Sequence, residues 1–316
     1  MRDLFLFALA GFAASLVDGA LGMGFGPTSS SILLGAGLAP TAVSASVNLA
    51  KVVTGLVAAV SHWKFRNLDQ SLVLQLAIPG CLGAFVGVYV LSSINGATLR
   101  PYLAMLLTVI GIRILVRFAR PIAHTEKATA PISGSLKREL VFDRRGVKTV
   151  AFLGGVTNGM IGAWGPVVTP FLLHRSVRPR YAIGCVNTAE VAVASASAFS
   201  LIASLGSAGI NGPTVVSMLL GGVVAAPVAA WFIRHVSPGP MGVSVAGLLL
   251  LTNARDLTAW AGIRSGLALW AIYGGILAVT AVAFVSSRGH LGRRPATGED
   301  ATAPPIEPSS SEGLSQ

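Results

Sequence analysis

Two ionisable residues lie inside long apolar segments, at equivalent positions of an internal repeat. Lys51 follows Asn48 by three residues, and 139 residues later Glu190 follows Asn187 by the same spacing. A spacing of three places each pair on one face of a helix. Because a charge within an apolar segment is costly and commonly functional, we predict that Lys51 is a counter-charge for an anion and Glu190 a proton-coupling group. The structural alternative is an ion pair that joins the two repeats.

Each repeat also contains a glycine-rich break that is followed by Gly-Pro, at residues 19–27 and 154–166. Alternating glycines followed by proline interrupt a regular helix. The free N–H groups at the start of the next helix attract anions, whereas close helix packing is the alternative explanation for the glycines. The candidate substrate-binding residues are Gly24, Phe25, Gly26, Pro27, Asn48, Lys51, Asn158, Gly162, Trp164, Gly165, Pro166 and Asn187.

Three further polar residues have more than one interpretation. Asp18 precedes the first break and has Thr157 as its counterpart. It is a candidate for capping the break or for binding a proton or a cation, so it joins Glu190 as an ion-coupling candidate. Asn48 and Asn187 fall near the middle of their segments, where a buried amide needs partners. They contact the substrate, or they form a hydrogen bond to another helix. In the second case the partner could be the broken backbone of their own unit.

The composition predicts a protein whose solvent is the lipid bilayer. Of the 316 residues, 53% are hydrophobic and 11% charged, against roughly 25% charged in soluble domains. The net charge of +11 comes from basic residues between the apolar segments, as the positive-inside rule requires, and predicts no nucleic-acid partner. We find no metal-ligand spacing, phosphate loop or nucleophile constellation, so we expect no cofactor, no metal and no enzyme. Cys81 and Cys185 lie in apolar segments and are interpreted as small buried residues.

We predict an all-α polytopic membrane protein of two transmembrane repeats, at 1–118 and 149–253. Each repeat consists of a broken hairpin and three transmembrane helices. A basic cytoplasmic linker at 119–148 joins the repeats, an additional helix occupies 254–287, and 288–316 is a disordered cytoplasmic tail. The predicted spans are 41–61, 71–91 and 99–118, then 181–205, 213–233 and 241–253, and finally 265–285.

The hairpins are predicted to be re-entrant and the repeats inverted. The second arm of the first hairpin, residues 28–37, is shorter than the roughly 20 residues that a spanning helix needs. Hairpins that return to the side they entered give the stronger excess of Lys and Arg on the linker side. An odd number of crossings per unit then inverts one unit relative to the other. This arrangement is typical of transporters, with the site at mid-membrane between the repeats.

Several of these motifs resemble the sulfite exporter TauE/SafE-type family of membrane permeases. The motifs are residues 18–27, Ala45-Ser46-Val47-Asn48 and the glycine-rich segment from Gly154 to Gly162, and the resemblance extends over 5–286. It implies a permease of the bacterial inner membrane for sulfite, thiosulfate, sulfoacetate or another organosulfonate, and the inverted repeats predict that such a permease works by alternating access. Lys51 lies outside these motifs, so its role rests on the residues alone.

Other functions remain open at this point. The same fold could move a different small solute or act as a channel. A membrane-embedded enzyme or assembly factor would use Cys81 or Cys185. The expected partners are a small sulfur-containing anion, the lipid bilayer and, as a possibility, a second copy of the chain in a homodimer.

Overall fold

The chain is all-helical wherever its structure is described. The computed structural model describes residues 2–21, 23–119, 143–206, 212–235 and 238–289, and within these ranges there are eleven α-helices and no strand. Five of the described helices are long and apolar enough to cross a membrane. The predicted all-α polytopic class is therefore confirmed. Most of the predicted linker and nearly all of the predicted tail lie outside the described residues.

The two units contain helices in the same order, five in each. The first unit comprises α1 (Arg2–Leu21), α2 (Phe25–Gly35), α3 (Pro40–Lys64), α4 (Gln70–Ser93) and α5 (Gly96–Ala119). The second comprises α6 (Val147–Ile161), α7 (Gly165–His174), α8 (Pro179–Leu205), α9 (Gly212–His235) and α10 (Pro238–Trp260), and α11 (Gly266–Gly289) follows. The five helices that could cross a membrane are α3, α4, α5, α8 and α11.

The second break is shorter than the sequence suggested. Helix α6 continues through Gly154 and Gly155 to Ile161, and only residues 162–164 separate it from α7. The two glycines serve close packing instead, because a Cβ on Gly155 would lie 2.0 Å from the carbonyl oxygen of Gly80 on α4. Small residues let helix backbones approach in this way.

The third predicted span of the second unit is longer than expected. Its sequence signal ends at Asn253, but α10 continues to Trp260. The Asn253 amide donates to the hydroxyl of Ser31 at 2.8 Å and to the carbonyl of Leu249 at 2.7 Å. A polar residue whose donors are satisfied in this way does not end a helix.

The two units interlock through equivalent glycine seams. Helix α4 of the first unit packs on α6 of the second, and α9 of the second packs on α1 of the first. In the α1–α9 seam, a Cβ on Gly11 would lie 2.1 Å from the Met218 carbonyl oxygen. One on Gly221 would lie 1.9 Å from the Ala8 carbonyl oxygen. Each of these two seams therefore consists of one helix from each unit.

Counterpart helices of the two units run antiparallel at the centre. On α3 and α8, Gly184 lies beside His62, whereas further along α8 Val191 lies beside Gly55. Residue numbers therefore rise along one helix as they fall along the other. The same relation holds for α5 and α10, in which Gly111 contacts Leu249 and Gly242 contacts Phe118.

We expect the α4–α6 seam to be intolerant of a single added methyl group. Gly155→Ala forces a Cβ against the Gly80 carbonyl, and such overpacking costs about 1–3 kcal/mol. Gly274→Ala is the matched control, because a Cβ there has no neighbour within 4 Å. Thermal unfolding in detergent should give a lower Tm for Gly155→Ala only. Equal Tm values for the two variants would show that the seam is looser than described.

Candidate functional site

The breaks of the two units touch each other at the centre of the protein. A Cβ on Gly26 would lie 1.7 Å from the carbonyl oxygen of Gly162, and one on Gly165 would lie 2.9 Å from Cα of Met23. Met23 and Gly26 occupy the repeat positions of Gly162 and Gly165, so the contact is reciprocal. Gly162 has φ of +69°, a left-handed conformation that favours glycine and that closes the end of α6.

The two helices that start at the breaks are capped differently. In the first unit, Asp18 Oδ1 accepts the N–H groups of Gly24 at 3.0 Å and Phe25 at 3.3 Å, so a carboxylate lies at the positive end of α2. Its counterpart Thr157 instead bonds the carbonyl of Ala163 at 2.9 Å. Trp164 at the start of α7 makes no cap bond with its own side chain, and among the described residues no other side chain accepts from the first N–H groups of this helix. The N-terminus of α7 therefore has no carboxylate equivalent to Asp18.

Lys51 is buried and all three of its N–H donors are engaged. Its Nζ forms an ion pair with Glu190, and donates to Asn158 Oδ1 at 3.1 Å and to the Gly162 carbonyl at 2.7 Å. The Lys51 side chain is 5% exposed and that of Glu190 is 15% exposed. Because an ammonium has three donors and no acceptor, Lys51 has none left for a ligand in this conformation.

Asn158 connects Lys51 to a wider polar network. Its Nδ2 donates to Asn48 Oδ1 at 2.7 Å and to Ser197 Oγ at 3.1 Å, while Asn48 Nδ2 donates to the Asn158 carbonyl at 3.2 Å. Asn48 thus bonds the helix that leads into the break of the opposite unit, and not the break of its own unit. With both amides satisfied, the network fixes the position of the lysine.

The last carbonyls of α6 are satisfied by side chains from the first unit. Ser30 Oγ donates to Ile161 and Ser44 Oγ to Gly159, each at 2.7 Å, and Lys51 donates to Gly162. Such carbonyls have no partner within their own helix. A lysine is also favourable there because a helix C-terminus carries a partial negative charge. The site is therefore built by one unit on a helix end of the other.

A small cavity lies between the breaks. Its volume is about 10 Å³, which is close to the minimum of roughly 10–15 Å³ that one water molecule needs. The centre of the protein is therefore closed to any polyatomic anion in this conformation. The cavity is lined by Asp18, Met23, Phe25, Gly26, Pro27, Lys51, Gly162, Gly165, Pro166 and Glu190.

Some candidate residues lie outside the lining of this cavity. Gly24 is bonded to Asp18, and Asn48 and Asn158 lie behind Lys51. Trp164 is fully buried and its Nε1–H donates to the Val186 carbonyl at 3.1 Å, so it is a packing aromatic. Asn187 is half-buried and does not line the cavity. Its repeat counterpart Asn48 also lies outside the lining, and Asn158, to which Asn48 is bonded, has Gly19 as its counterpart in the first unit.

The structure also uses residues that the sequence did not single out. Ser30, Ser44 and Ser197 each complete the network around α6. Their residue type gave no signal, because serines in helices commonly bond a carbonyl of their own helix. Met23 lines the cavity as the partner of Gly165, and this role follows only from the contact between the breaks.

Two matching units, helices able to cross a membrane and buried charges where the helix breaks meet define a polytopic membrane permease. The model of the family described as "Sulfite exporter TauE/SafE" matches residues 7–255. The chain belongs to this family, as the motifs predicted. A relative from Bacillus subtilis (strain 168), named "Probable membrane transporter protein YtnM", is 40% identical over 259 residues, which cover 81% of this chain and 83% of the relative. No solved structure matches the chain.

We expect the loss of Lys51 alone to lower the stability of the protein more than the loss of both Lys51 and Glu190. Lys51→Met leaves Glu190 as a buried carboxylate without a counter-charge, which typically destabilises by about 3–5 kcal/mol. Adding Glu190→Gln removes that charge and should recover much of the loss. Thermal unfolding in detergent measures the stability of the single and the double variant, with Lys64→Met at the exposed end of α3 as the control. Simple additivity of the two changes would contradict the coupling.

Proposed function

We propose that the protein moves a small sulfur-containing anion across the bacterial inner membrane by alternating access. The observation that carries this proposal is the buried Lys51 beside two helix N-termini, those of α2 and α7, at one central cavity. Sulfite, thiosulfate, sulfoacetate and other organosulfonates all present a compact cluster of sulfur-bound oxygens. Ammonium and backbone N–H donors bind such oxyanions.

Within this site, the start of α7 is the best position for the anion. At α2 the N–H donors of Gly24 and Phe25 are already bonded to Asp18, whereas no described side chain accepts from the first N–H groups of α7. Gly165 and Pro166 at the start of α7 line the cavity together with Lys51. The anion would therefore lie between the Lys51 ammonium and the first turn of α7.

Asn48 and Asn158 then act by holding Lys51 rather than by touching substrate. Asn158 Oδ1 accepts from Lys51 Nζ, and its amide nitrogen is bonded to Asn48. This arrangement keeps the ammonium beside the breaks when other contacts change. Glu190 and Asp18, which also line the cavity, are the ion-coupling candidates of the same site.

The alternating-access part of the proposal depends on inverted repeats. Counterpart helices of the two units, such as α3 and α8, run antiparallel. A twofold axis that relates two such helices is perpendicular to them, so it lies in the membrane plane. The reciprocal contacts of the two breaks support the same relation. Helices α2 and α7 have 11 and 10 residues, about 15 Å at 1.5 Å per residue, which suits re-entrant arms. The closed cavity then corresponds to an occluded conformation.

The orientation follows from the basic residues. We place the linker 119–148 and the C-terminus in the cytoplasm, together with the α3–α4 connection that carries Lys64 and Arg66. Trp63 and Phe65 are exposed beside them, and aromatic and basic residues are both typical of a helix end at the membrane interface.

We expect Lys51→Ala to abolish flux of radiolabelled thiosulfate and sulfite in proteoliposomes, because among the described residues Lys51 is the cation that lines the cavity. Lys51→Met combined with Glu190→Gln should also lose flux, and this variant separates substrate binding from folding. Lys64→Ala, on the same helix but exposed, is the control and should transport normally. Normal flux in either Lys51 variant would remove the lysine from the binding site.

A further inference from the structure

One lysine faces two carboxylates at the central cavity. Lys51, Asp18 and Glu190 all line it. On the elements packed against α8, α3 has His62 and Lys64 in its last turn, α4 has no charged residue, and Lys148 of α6 and His174 of α7 are at the ends far from the breaks. Of the cations on neighbouring helices, Arg117 of α5 reaches the Met23 sulfur at 3.8 Å but does not line the cavity. Among the described residues, the ionisable groups that line the cavity are therefore Lys51, Asp18 and Glu190.

An incoming anion must displace one of the present partners of Lys51. Two of them, Asn158 Oδ1 and the Gly162 carbonyl, are neutral and are held by the Asn48 network and by the helix backbone. The third partner is the Glu190 carboxylate, a flexible side chain that carries the same charge as the anion. Glu190 is therefore the group with which the anion competes.

We propose, on the basis of the function proposed above, that Glu190 takes up a proton as the anion binds, so that anion and proton move together in the same direction. If Glu190 stayed ionised, three negative groups would surround one ammonium at a buried site, which is strongly unfavourable. A proton on a Glu190 carboxylate oxygen offsets one negative charge of the anion, so a singly charged anion leaves the net charge of the cavity unchanged and the doubly charged thiosulfate adds one negative charge instead of two. Release of the anion lets Glu190 lose its proton and pair with Lys51 again.

Asp18 does not take this role, although it lines the same cavity. Its Oδ1 accepts two backbone N–H groups at the start of α2, where the helix dipole also favours a negative charge. Among the described residues, Glu190 has no such backbone donors, and its partner is Lys51. The two carboxylates therefore differ, with Asp18 a fixed cap and Glu190 the exchangeable partner.

The test is proton movement in proteoliposomes that contain the full chain and an internal pH-sensitive dye. Thiosulfate is the probe, because it stays fully ionised near neutral pH and so carries no proton itself. An inward thiosulfate gradient, with the membrane potential clamped, should acidify the interior in step with thiosulfate entry. Glu190→Gln should lose the acidification but retain exchange of labelled thiosulfate at equal concentrations on both sides. Asp18→Asn should keep the wild-type ratio of protons to thiosulfate.

The outcomes separate this inference from the proposed function. Thiosulfate flux by the wild-type protein without acidification, or with alkalinisation, overturns cotransport and leaves anion transport standing. Acidification that persists in Glu190→Gln, or disappears only in Asp18→Asn, overturns the assignment to Glu190. No flux of thiosulfate, sulfite or a simple sulfonate overturns the proposed function, and the coupling with it. The wild-type measurement alone is decisive if a variant does not fold.

Discussion

The ion pair between Lys51 and Glu190 is the interaction on which the centre of this protein depends. It joins α3 of the first unit to α8 of the second where both side chains are withdrawn from solvent. Removing two charges from water costs several kcal/mol per ion, and the attraction between them repays this only with good geometry and further hydrogen bonds. Asn158 and the Gly162 carbonyl supply those bonds to the lysine. The pair is thus part of a network that spans both units.

That network exists only because the backbones of the two units approach closely. Gly26 lies directly on the Gly162 carbonyl, which leaves this carbonyl at the cavity where Lys51 can reach it. The seams of α4 with α6 and of α1 with α9 depend on glycine in the same way. A side chain at these positions would separate the units and with them the two charges. The buried pair therefore depends on the close packing at the glycines. This dependence explains why the glycines and the charges occur in the same repeat.

The sequence predicted the elements of this site better than their contacts. The sequence shows the duplication, the paired breaks and the equivalent positions of Lys51 and Glu190. All three are visible because the motifs of the first unit recur 139 residues later. The partner of Asn48 was not predictable, since it belongs to the other unit and depends on how the units dock. Gly154 and Gly155 were interpreted as part of a break because a glycine that permits close packing is the same residue type as one that interrupts a helix.

The two copies of the repeat have diverged at several positions, and at these positions the repeat does not predict the contacts. Asn187 has the sequence context of Asn48, but the counterpart of Asn158 is a glycine, Gly19, and Thr157 replaces the carboxylate of Asp18. These differences make the two halves of the cavity unequal, with a capped α2 and an uncapped α7. A binding site at the junction therefore needs both the repeat, which builds the cavity, and the departures from it, which leave one helix start free for a ligand.

The most direct test of this account is a crystal structure of the protein with thiosulfate bound, in which anomalous scattering locates the two sulfur atoms. We expect the anion between the Lys51 ammonium and the start of α7, with the Glu190 carboxyl turned away from the lysine. An anion bound elsewhere, with the Lys51–Glu190 pair intact, would contradict it.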